Sequence, residues 1–236
     1  MINLNNIKHK YDDKTVLEQF SLNIEQNKIT CLLGDSGCGK TTILRLIAGL
    51  ETNTDGDIII ENELVSSNNK ILVTPSNRNI GFIFQDLALW PHFTVYKNIA
   101  FGLKEQKKSN IKSTVSEILS LFEIEEHINK YPHQLSGGQK QLVAIARSLV
   151  LKPKILLMDE PLSNLDVLLK RKLLKHIKTI KEKYNLTIVY VTHDHKEAFK
   201  IADNIIVLHN GKIEDSGDLN QIKESKNEYV KSFIEF

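Results

Sequence analysis

Two glycine-containing runs in this 236-residue chain have the residue types and spacing to hold phosphate groups. The first, residues 34–41, reads Gly-Asp-Ser-Gly-Cys-Gly-Lys-Thr, and it lies between an apolar run at 29–33 and a helical pattern at 42–50. In such a loop backbone N–H groups wrap a β-phosphate, the lysine reaches the β- and γ-oxygens, and the last hydroxyl can ligate Mg²⁺. The alternative, an ordinary glycine turn, is disfavoured by the strand before it and the helix after it. The residues expected at this phosphate site are Gly34, Asp35, Ser36, Gly37, Cys38, Gly39, Lys40, Thr41 and Thr42.

The second run is Leu-Ser-Gly-Gly-Gln at residues 135–139, directly before a helical pattern that extends to 149. Backbone N–H groups at a helix start favour an anion, so Ser136, Gly137, Gly138 and Gln139 could bind phosphate. A serine-capped helix after a glycine turn is the alternative interpretation. Because a first phosphate loop is already present, the second suggests that one copy cannot complete the site alone.

A pair of acids follows the apolar run 155–158. Asp159 is the natural partner of a metal ion at Thr41, through water, since a phosphate loop of this type needs an acidic group for Mg²⁺. Glu160 points to the other side of the strand, so we expect it to act as general base or to orient a water molecule. Two solvated acids at a strand end are the alternative.

Three further polar residues end or follow predicted strands, namely Gln85, His193 and Asp166. Each alone is a weak signal. Ligands of open α/β sheets gather at the carboxyl ends of the strands, and this shared position makes all three candidates for the same site.

Short apolar strands alternate with helical patterns, which predicts an α/β fold with a mainly parallel central sheet. We expect one domain, 1–236, with a small antiparallel sheet near the N-terminus, an inserted helical subdomain at about 87–150 and one amphipathic tail helix at 220–236. The predicted strands of the central sheet are 29–33, 81–84, 155–158, 187–192 and 204–208; those of the smaller sheet are 2–9, 16–24 and 57–63. Helices are predicted at 96–103, 111–122 and 139–149.

The composition bounds the possible partners. With 31 basic and 29 acidic residues the net charge is +2, which gives no broad positive surface for nucleic acid. No apolar run approaches the ~18–20 residues that span a bilayer, and the first ten residues lack the apolar core of a signal peptide. We therefore expect a cytosolic protein whose role at a membrane, if any, comes through a partner. Cys31 and Cys38 do not complete a zinc site, and we expect both to be reduced.

With these motifs in this order, residues 2–217 resemble the nucleotide-binding subunit of an ABC transporter, a P-loop ATPase with ATP and Mg²⁺ as ligands. The resemblance implies that Tyr11 stacks on adenine, that Gln85 touches Mg²⁺ beside Thr41 and Asp159, and that His193 is the switch histidine at the γ-phosphate. It implies Glu160, His193 and Lys40 as catalytic residues. It also implies that the loop 163–166, with Asp166, crosses to another subunit.

In that family the Leu-Ser-Gly-Gly-Gln run closes over ATP held by a second subunit. The implied unit is a head-to-tail dimer with a second copy or a homologous subunit. Hydrolysis would open this dimer and drive an integral membrane permease, so we expect the chain at the inner face of the cell membrane.

Residues 85–103 resemble importers of iron(III), polyamines, sugars and related solutes, with iron(III) or a polyamine favoured and a solute-binding protein as an indirect partner. The aromatic residues here could form a groove for a permease helix, or they could belong to a loop that simply leads into a core helix. Trp90, Leu142 and His195 depart from the common pattern without removing a catalytic group. Because the sequence ends at Phe236, we expect no β-rich C-terminal domain of the kind many such importers carry. A soluble ABC-type ATPase, an exporter subunit and a small-molecule kinase remain alternatives.

Overall fold

Residues 1–163 and 165–234 are described in a computed structural model of the chain, and within them the strands form two sheets. The strands are β1 (Ile2–Tyr11), β2 (Lys14–Ile24), β3 (Ile29–Gly34), β4 (Asp55–Ile60), β5 (Glu63–Ser67), β6 (Lys70–Ile71), β7 (Ile80–Ile83), β8 (Ile155–Asp159), β9 (Thr187–Thr192), β10 (Asn204–His209) and β11 (Lys212–Gly217). The α-helices are α1 (Lys40–Ala48), α2 (Val95–Glu105), α3 (Ile111–Leu121), α4 (Gly137–Leu149), α5 (Val167–Tyr184), α6 (His195–Ile201), α7 (Leu219–Lys223) and α8 (Glu228–Ile234).

The larger sheet has the order β11, β10, β3, β9, β8, β7, and every pairing in it is parallel except that of β10 with β11. The expected α/β fold with a mainly parallel sheet is therefore confirmed. Leu33 pairs with Thr192, and Val191 pairs with Asp159. The loops that follow β3, β9 and β8 consequently leave the same edge of the sheet side by side.

Alternating residues of the parallel strands divide the interior into two cores, one on each face of the sheet. On β3, Cys31 and Leu33 belong to the core under α2 to α6, whereas Leu32 belongs to the core shared with α1 and the smaller sheet. All six residues of β3 are buried, as expected for a strand covered on both faces. This central position makes the end of β3 a rigid base for the loop that follows.

The smaller sheet is antiparallel, with the order β2, β1, β4, β5, β6. The prediction of one strand over 57–63 is wrong. β4 ends at Ile60, and a turn at Glu61 and Asn62, with φ of +51° and +69°, leads into β5. Two consecutive residues with positive φ are typical of a tight hairpin turn.

The prediction of one tail helix over 220–236 is also wrong for the residues that can be compared; 235 and 236 lie outside the described part. The segment forms α7 and α8, separated by residues 224–227. Here the Asn227 Oδ1 accepts the backbone N–H of Tyr229 at 2.9 Å, and its own N–H donates to Ser225 Oγ at 3.2 Å. These side-chain bonds begin a new helix instead of continuing the first, as Ser and Asn often do.

Between β7 and β8 the described chain is helical, with α2, α3 and α4 and no strand. Ile99, Leu119 and Val143 from these three helices are almost fully buried in one core. No helix in the described ranges is long and apolar enough to cross a membrane.

Candidate active site

The glycine-rich loop connects the end of β3 to the start of α1. Gly34, the last residue of β3, has a φ of +154°, and a Cβ there would lie 2.1 Å from the carbonyl oxygen of Leu208 on β10. Only glycine therefore allows β3 and β10 to remain in register up to this point. The first-turn N–H groups of α1 have no intrahelical partner, and Gly39 at the N-cap has no side chain to cap them. An anion at this helix start would satisfy them.

Lys40 lies folded into the loop. Its side-chain nitrogen donates to the carbonyl oxygens of Gly34 and Asp35, both at 2.7 Å, and approaches Cys38 Sγ at 3.6 Å. The residue is only 5% exposed. The cation is thus held at the centre of the loop, where its charge favours a bound anion.

Thr41 and Asp159 bring two oxygen groups together from α1 and β8. The Thr41 hydroxyl donates to Asp159 Oδ1 at 3.0 Å. Burial raises the pKa of the Asp159 carboxyl, and the hydrogen bond from Thr41 opposes that shift. A hydroxyl and a buried carboxylate suit Mg²⁺, which binds one or two carboxylates together with phosphate and water oxygens. No cluster of three His, Cys, Asp or Glu side chains that could hold a metal occurs in the described residues.

Glu160 follows Asp159 and connects the ends of three strands. Its φ is +43°, and its Oε2 lies 3.2 Å from His193 Nδ1 and 3.5 Å from Gln85 Nε2. The Glu160 side chain is 15% exposed and that of His193 is 54% exposed. The structure therefore brings the predicted base, the predicted switch histidine and the predicted glutamine into one cluster. Positive φ in a residue that is not glycine is frequent at functional sites.

A cleft of about 410 Å³ opens beside this cluster. It is lined by Tyr11, Lys14, Val16, Ser36, Gly37, Gly39, Lys40, Thr41, Thr42, Gln85 and Glu160. Lys14 and Val16 were missed by the sequence analysis, although Lys14 lies only three residues after Tyr11. A larger, more open cleft of about 910 Å³ lies between α3 and the end of α5, but it contains none of the predicted site residues. The smaller cleft is therefore the candidate active site, because predicted site residues line it.

Tyr11 reaches the cleft from the end of β1. Its hydroxyl donates to Glu51 and lies 3.3 Å from Thr42 Oγ1, and its ring meets that of His9 edge-on at 4.8 Å. Burial, and then the bond to Glu51, raise the pKa of Tyr11. The residue is still 42% exposed, so part of its ring is available to a planar group.

The Leu-Ser-Gly-Gly-Gln run lies at the start of α4 and does not line this cleft. Ser136 Oγ accepts the N–H of Gln139 at 3.3 Å, and Gln139 Oε1 accepts the N–H of Ser136 at 2.9 Å. This reciprocal capping is what the alternative interpretation predicts for the chain by itself. Ser136 and Gly137 are nevertheless exposed. A Cβ on Gly138 would lie 2.4 Å from Leu169, so this glycine permits α4 and α5 to pack.

Asp166 caps α5 and likewise does not line the cleft. Its Oδ1 accepts the N–H of Leu169 at 3.0 Å. The next two residues, Val167 and Leu168, are 64% and 77% exposed. Asn164 lies outside the described residues. The start of α5 thus presents an apolar surface next to the exposed end of α4.

The aromatic segment forms a cluster in front of α2. The Trp90 ring lies 4.6 Å from that of Phe101 and 5.7 Å from that of Phe93, and the Arg147 guanidinium lies 5.0 Å from the Trp90 centroid. Phe101 is 37% exposed. The cluster is therefore only partly covered.

Arg147 of α4 also fixes the segment that follows Gln85. It donates to the carbonyl oxygens of Leu87 at 2.8 Å and Ala88 at 2.6 Å. Leu87 and Ala88 have φ of +63° and +44°. A helix of the inserted segment is thus tied to the loop that carries Gln85.

Comparison with known proteins places these features in a family. A family profile described as ABC transporter matches residues 17–163. Over 237 residues the chain is 44% identical to the spermidine/putrescine import ATP-binding protein PotA of Pasteurella multocida, covering 99% of this chain and 63% of that protein. The identity to PotA of Escherichia coli strain K12 is also 44%, with 61% of that protein covered. The chain therefore spans 61–63% of the length of these relatives.

Solved structures are similar over nearly the whole chain. The dimeric structure of MJ0796, described as a bacterial ABC transporter cassette, superposes with a TM-score of 0.82 and 33% identity, covering 93% of this chain and 99% of that one. CbiO1 of Clostridium perfringens, part of the ABC transporter complex cbiONQ, gives a TM-score of 0.86 and 28% identity, covering 99% of this chain and 94% of that one.

Proposed function

This chain belongs to the ABC transporter family, and we propose that it is the ATP-binding and ATP-hydrolysing subunit of a solute importer. The observation that carries the proposal is the cluster of Glu160, His193 and Gln85 beside Lys40 and Thr41. General base, switch histidine, phosphate lysine and metal hydroxyl are the groups that ATP hydrolysis needs within reach of one γ-phosphate.

The phosphates of ATP would enter the cleft at the N-terminus of α1. Lys40 would exchange its two loop carbonyls for β- and γ-oxygens, and the free N–H groups of the loop would hold the β-phosphate. The adenine ring would stack on Tyr11; base–aromatic stacking is worth ~1–3 kcal/mol. Thr41, Asp159 and Gln85 would hold Mg²⁺, which neutralises charge on the β- and γ-phosphates.

Glu160 would accept a proton from the attacking water. The carboxylate is already oriented by His193 Nδ1 at 3.2 Å, and both residues follow neighbouring strands, β8 and β9. Rigid strand ends hold acid–base groups more precisely than mobile loops do. His193 would then contact both Glu160 and the γ-phosphate.

A head-to-tail dimer would complete the site. The exposed Ser136 and Gly137 cannot serve the chain's own cleft, which they do not line. The apolar Val167 and Leu168 beside them are suited to burial against a second copy. The similar MJ0796 cassette has a dimeric structure, which supports a dimer here.

The partners would be an integral membrane permease and, indirectly, a solute-binding protein, with this chain on the inner face of the membrane. The partly exposed aromatic cluster at Trp90 and Phe101 supports a groove for a permease helix. The names of the relatives, spermidine/putrescine import ATP-binding proteins, favour a polyamine over iron(III) as the solute.

The decisive experiment replaces Glu160 with Gln and compares it with Glu182→Gln, an exposed residue on α5. Glu160→Gln should abolish ATP hydrolysis and trap an ATP-dependent dimer, measured by phosphate release and by light scattering. Glu182→Gln should behave as wild type. Hydrolysis at the wild-type rate in Glu160→Gln would remove Glu160 from its assigned role.

The solute is tested through its receptor. The membrane and solute-binding proteins that co-purify with this chain should be isolated, and the binding protein's melting temperature measured with spermidine, putrescine and iron(III). A rise with a polyamine alone supports the assignment. A rise with iron(III) alone contradicts it.

A further inference from the structure

The glycine-rich loop has a contact from the far end of the chain. The Tyr229 hydroxyl on α8 donates to Asp35 Oδ2 at 2.8 Å, across 194 residues of sequence. The Tyr229 ring packs on His209 at 4.2 Å and on Phe233 at 5.7 Å. His209 is the last residue of β10, the strand beside β3. Strand β10 and helix α8 thus both support the start of the loop.

Helix α8 is anchored well enough to hold this contact. Val230, the residue after Tyr229, is fully buried in the core. Asn227 caps the helix, and its Nδ2 donates to Glu214 Oε2 at 3.0 Å and to the Glu214 carbonyl at 3.3 Å. The position of Tyr229 is therefore set by the core and by β11.

Asp35 presents an electrostatic problem at a phosphate site. It is exposed and directly precedes Ser36 and Gly37, which line the cleft, so a carboxylate free to rotate could approach a bound triphosphate. Like charges separated by several ångströms near a protein surface repel by ~1 kcal/mol or more. Burial, and then the bond to Asp35, raise the pKa of Tyr229, so the phenol remains protonated and available as a donor at neutral pH.

We propose that Tyr229 is a positioning residue for nucleotide binding, which holds the Asp35 carboxylate away from the phosphates and braces the loop from α8. This inference rests on the proposed function, because it concerns the same cleft. It adds that helix α8 contributes to nucleotide affinity, and that it does so by holding the charged side chain of Asp35.

The test is the affinity of the isolated chain for ATP and for adenosine, measured by calorimetry at low salt. Tyr229→Phe keeps the ring on His209 and removes only the hydroxyl. It should raise the Kd for ATP about threefold to tenfold and leave that for adenosine unchanged, since adenosine carries no phosphate charge. Tyr184→Phe, at the exposed end of α5, is the matched control and should change neither value.

A second variant separates positioning from a merely structural role. Without the carboxylate there is nothing to hold, so Tyr229→Phe should have no effect on ATP affinity in an Asp35→Asn background. An unchanged Kd in Tyr229→Phe, or an equal loss in both backgrounds, would overturn the inference while leaving ATP binding by the wild type in place. If the wild type bound no ATP at all, the proposed function would fail and this inference with it.

Discussion

An ion pair between Lys170 and the buried Glu197, behind His193, should make a large contribution to stability. Glu197 on α6 is 4% exposed and accepts hydrogen bonds from Tyr190 at 2.8 Å and Thr192 at 3.1 Å. Lys170 of α5 lies 2.7 Å from its other oxygen. Thr192 Oγ1 also accepts the N–H of Asp194 at 3.0 Å, so the network fixes the backbone on both sides of His193.

Lys170→Met is expected to cost about 3–5 kcal/mol, because it leaves a buried carboxylate without its cation. Glu197→Gln should cost less, about 1–2 kcal/mol, since Lys170 is 20% exposed and keeps Asp194 at 3.4 Å. The double variant, Lys170→Met with Glu197→Gln, removes both the buried carboxylate and its cation, and only the partly exposed Asp194 loses a partner. Its cost should fall short of the sum of the single costs by about 1.5–3 kcal/mol.

Urea unfolding followed by circular dichroism and by the fluorescence of Trp90, the single tryptophan, measures these free energies. The matched control is Lys172→Met on the same helix. Lys172 lies 3.8 Å from Glu123 with both side chains more than 60% exposed, so its loss should cost about 0.5 kcal/mol or less. If Lys170→Met costs no more than Lys172→Met, or if the double variant is additive within about 0.5 kcal/mol, Glu197 does not depend on Lys170 as its cation.

Three further predictions concern other parts of the molecule. Ser136→Arg should abolish hydrolysis while leaving ATP binding by the single chain nearly intact. Ser116→Arg, on the exposed face of α3, is the control. Loss of ATP binding by the single chain in Ser136→Arg would contradict the proposed dimer. Arg78→Met should lower the free energy of unfolding in urea by about 3–5 kcal/mol. The reason is that Arg78 is 5% exposed and donates to four backbone carbonyls and the Ser66 hydroxyl. A loss below about 1 kcal/mol would contradict this prediction. Burial alone would lower the pKa of Lys170, but its bonds to Glu197 and Asp194 outweigh burial and raise it above 10.5. The stability difference between wild type and Lys170→Met should therefore be full at pH 7 and shrink only as the pH rises through that raised pKa; a difference already lost at pH 9 would contradict it.

The local motifs were predictable because each depends on neighbouring residues. The glycine-rich loop lies between a strand and a helix as expected, with β3 ending at Gly34 and α1 starting at Lys40. Strand β9 has the predicted bounds. Hydrophobic patterns report burial on one or two faces, and that local signal is sufficient to locate central strands.

The error in the tail helix lies where side chains compete with the backbone. The apolar residues Ile222, Tyr229 and Val230 fit one helical stripe. However, the side chains of Ser225 and Asn227 each accept the backbone N–H two residues further on, and these bonds divide the helix. Strand β11 was not predicted at all. Only one of its six residues, Ile213, is a large apolar residue, and as the edge strand it is exposed or half-buried throughout, so it lacks the apolar run of a central strand.

By itself the sequence determined which chemical groups the chain carries: the glycine-rich loop at 34–41, the acidic pair at the end of β8, the polar residues after β7 and β9, and a second glycine-containing run at 135–139. Only the tertiary structure decided which distant groups meet. Asp35 with Tyr229 and Lys170 with Glu197 are joined by the packing of α8 and α5. Sheet order and helix docking arise from backbone pairing and shape complementarity, which no local run of residues encodes, so these contacts could be found only in the folded chain.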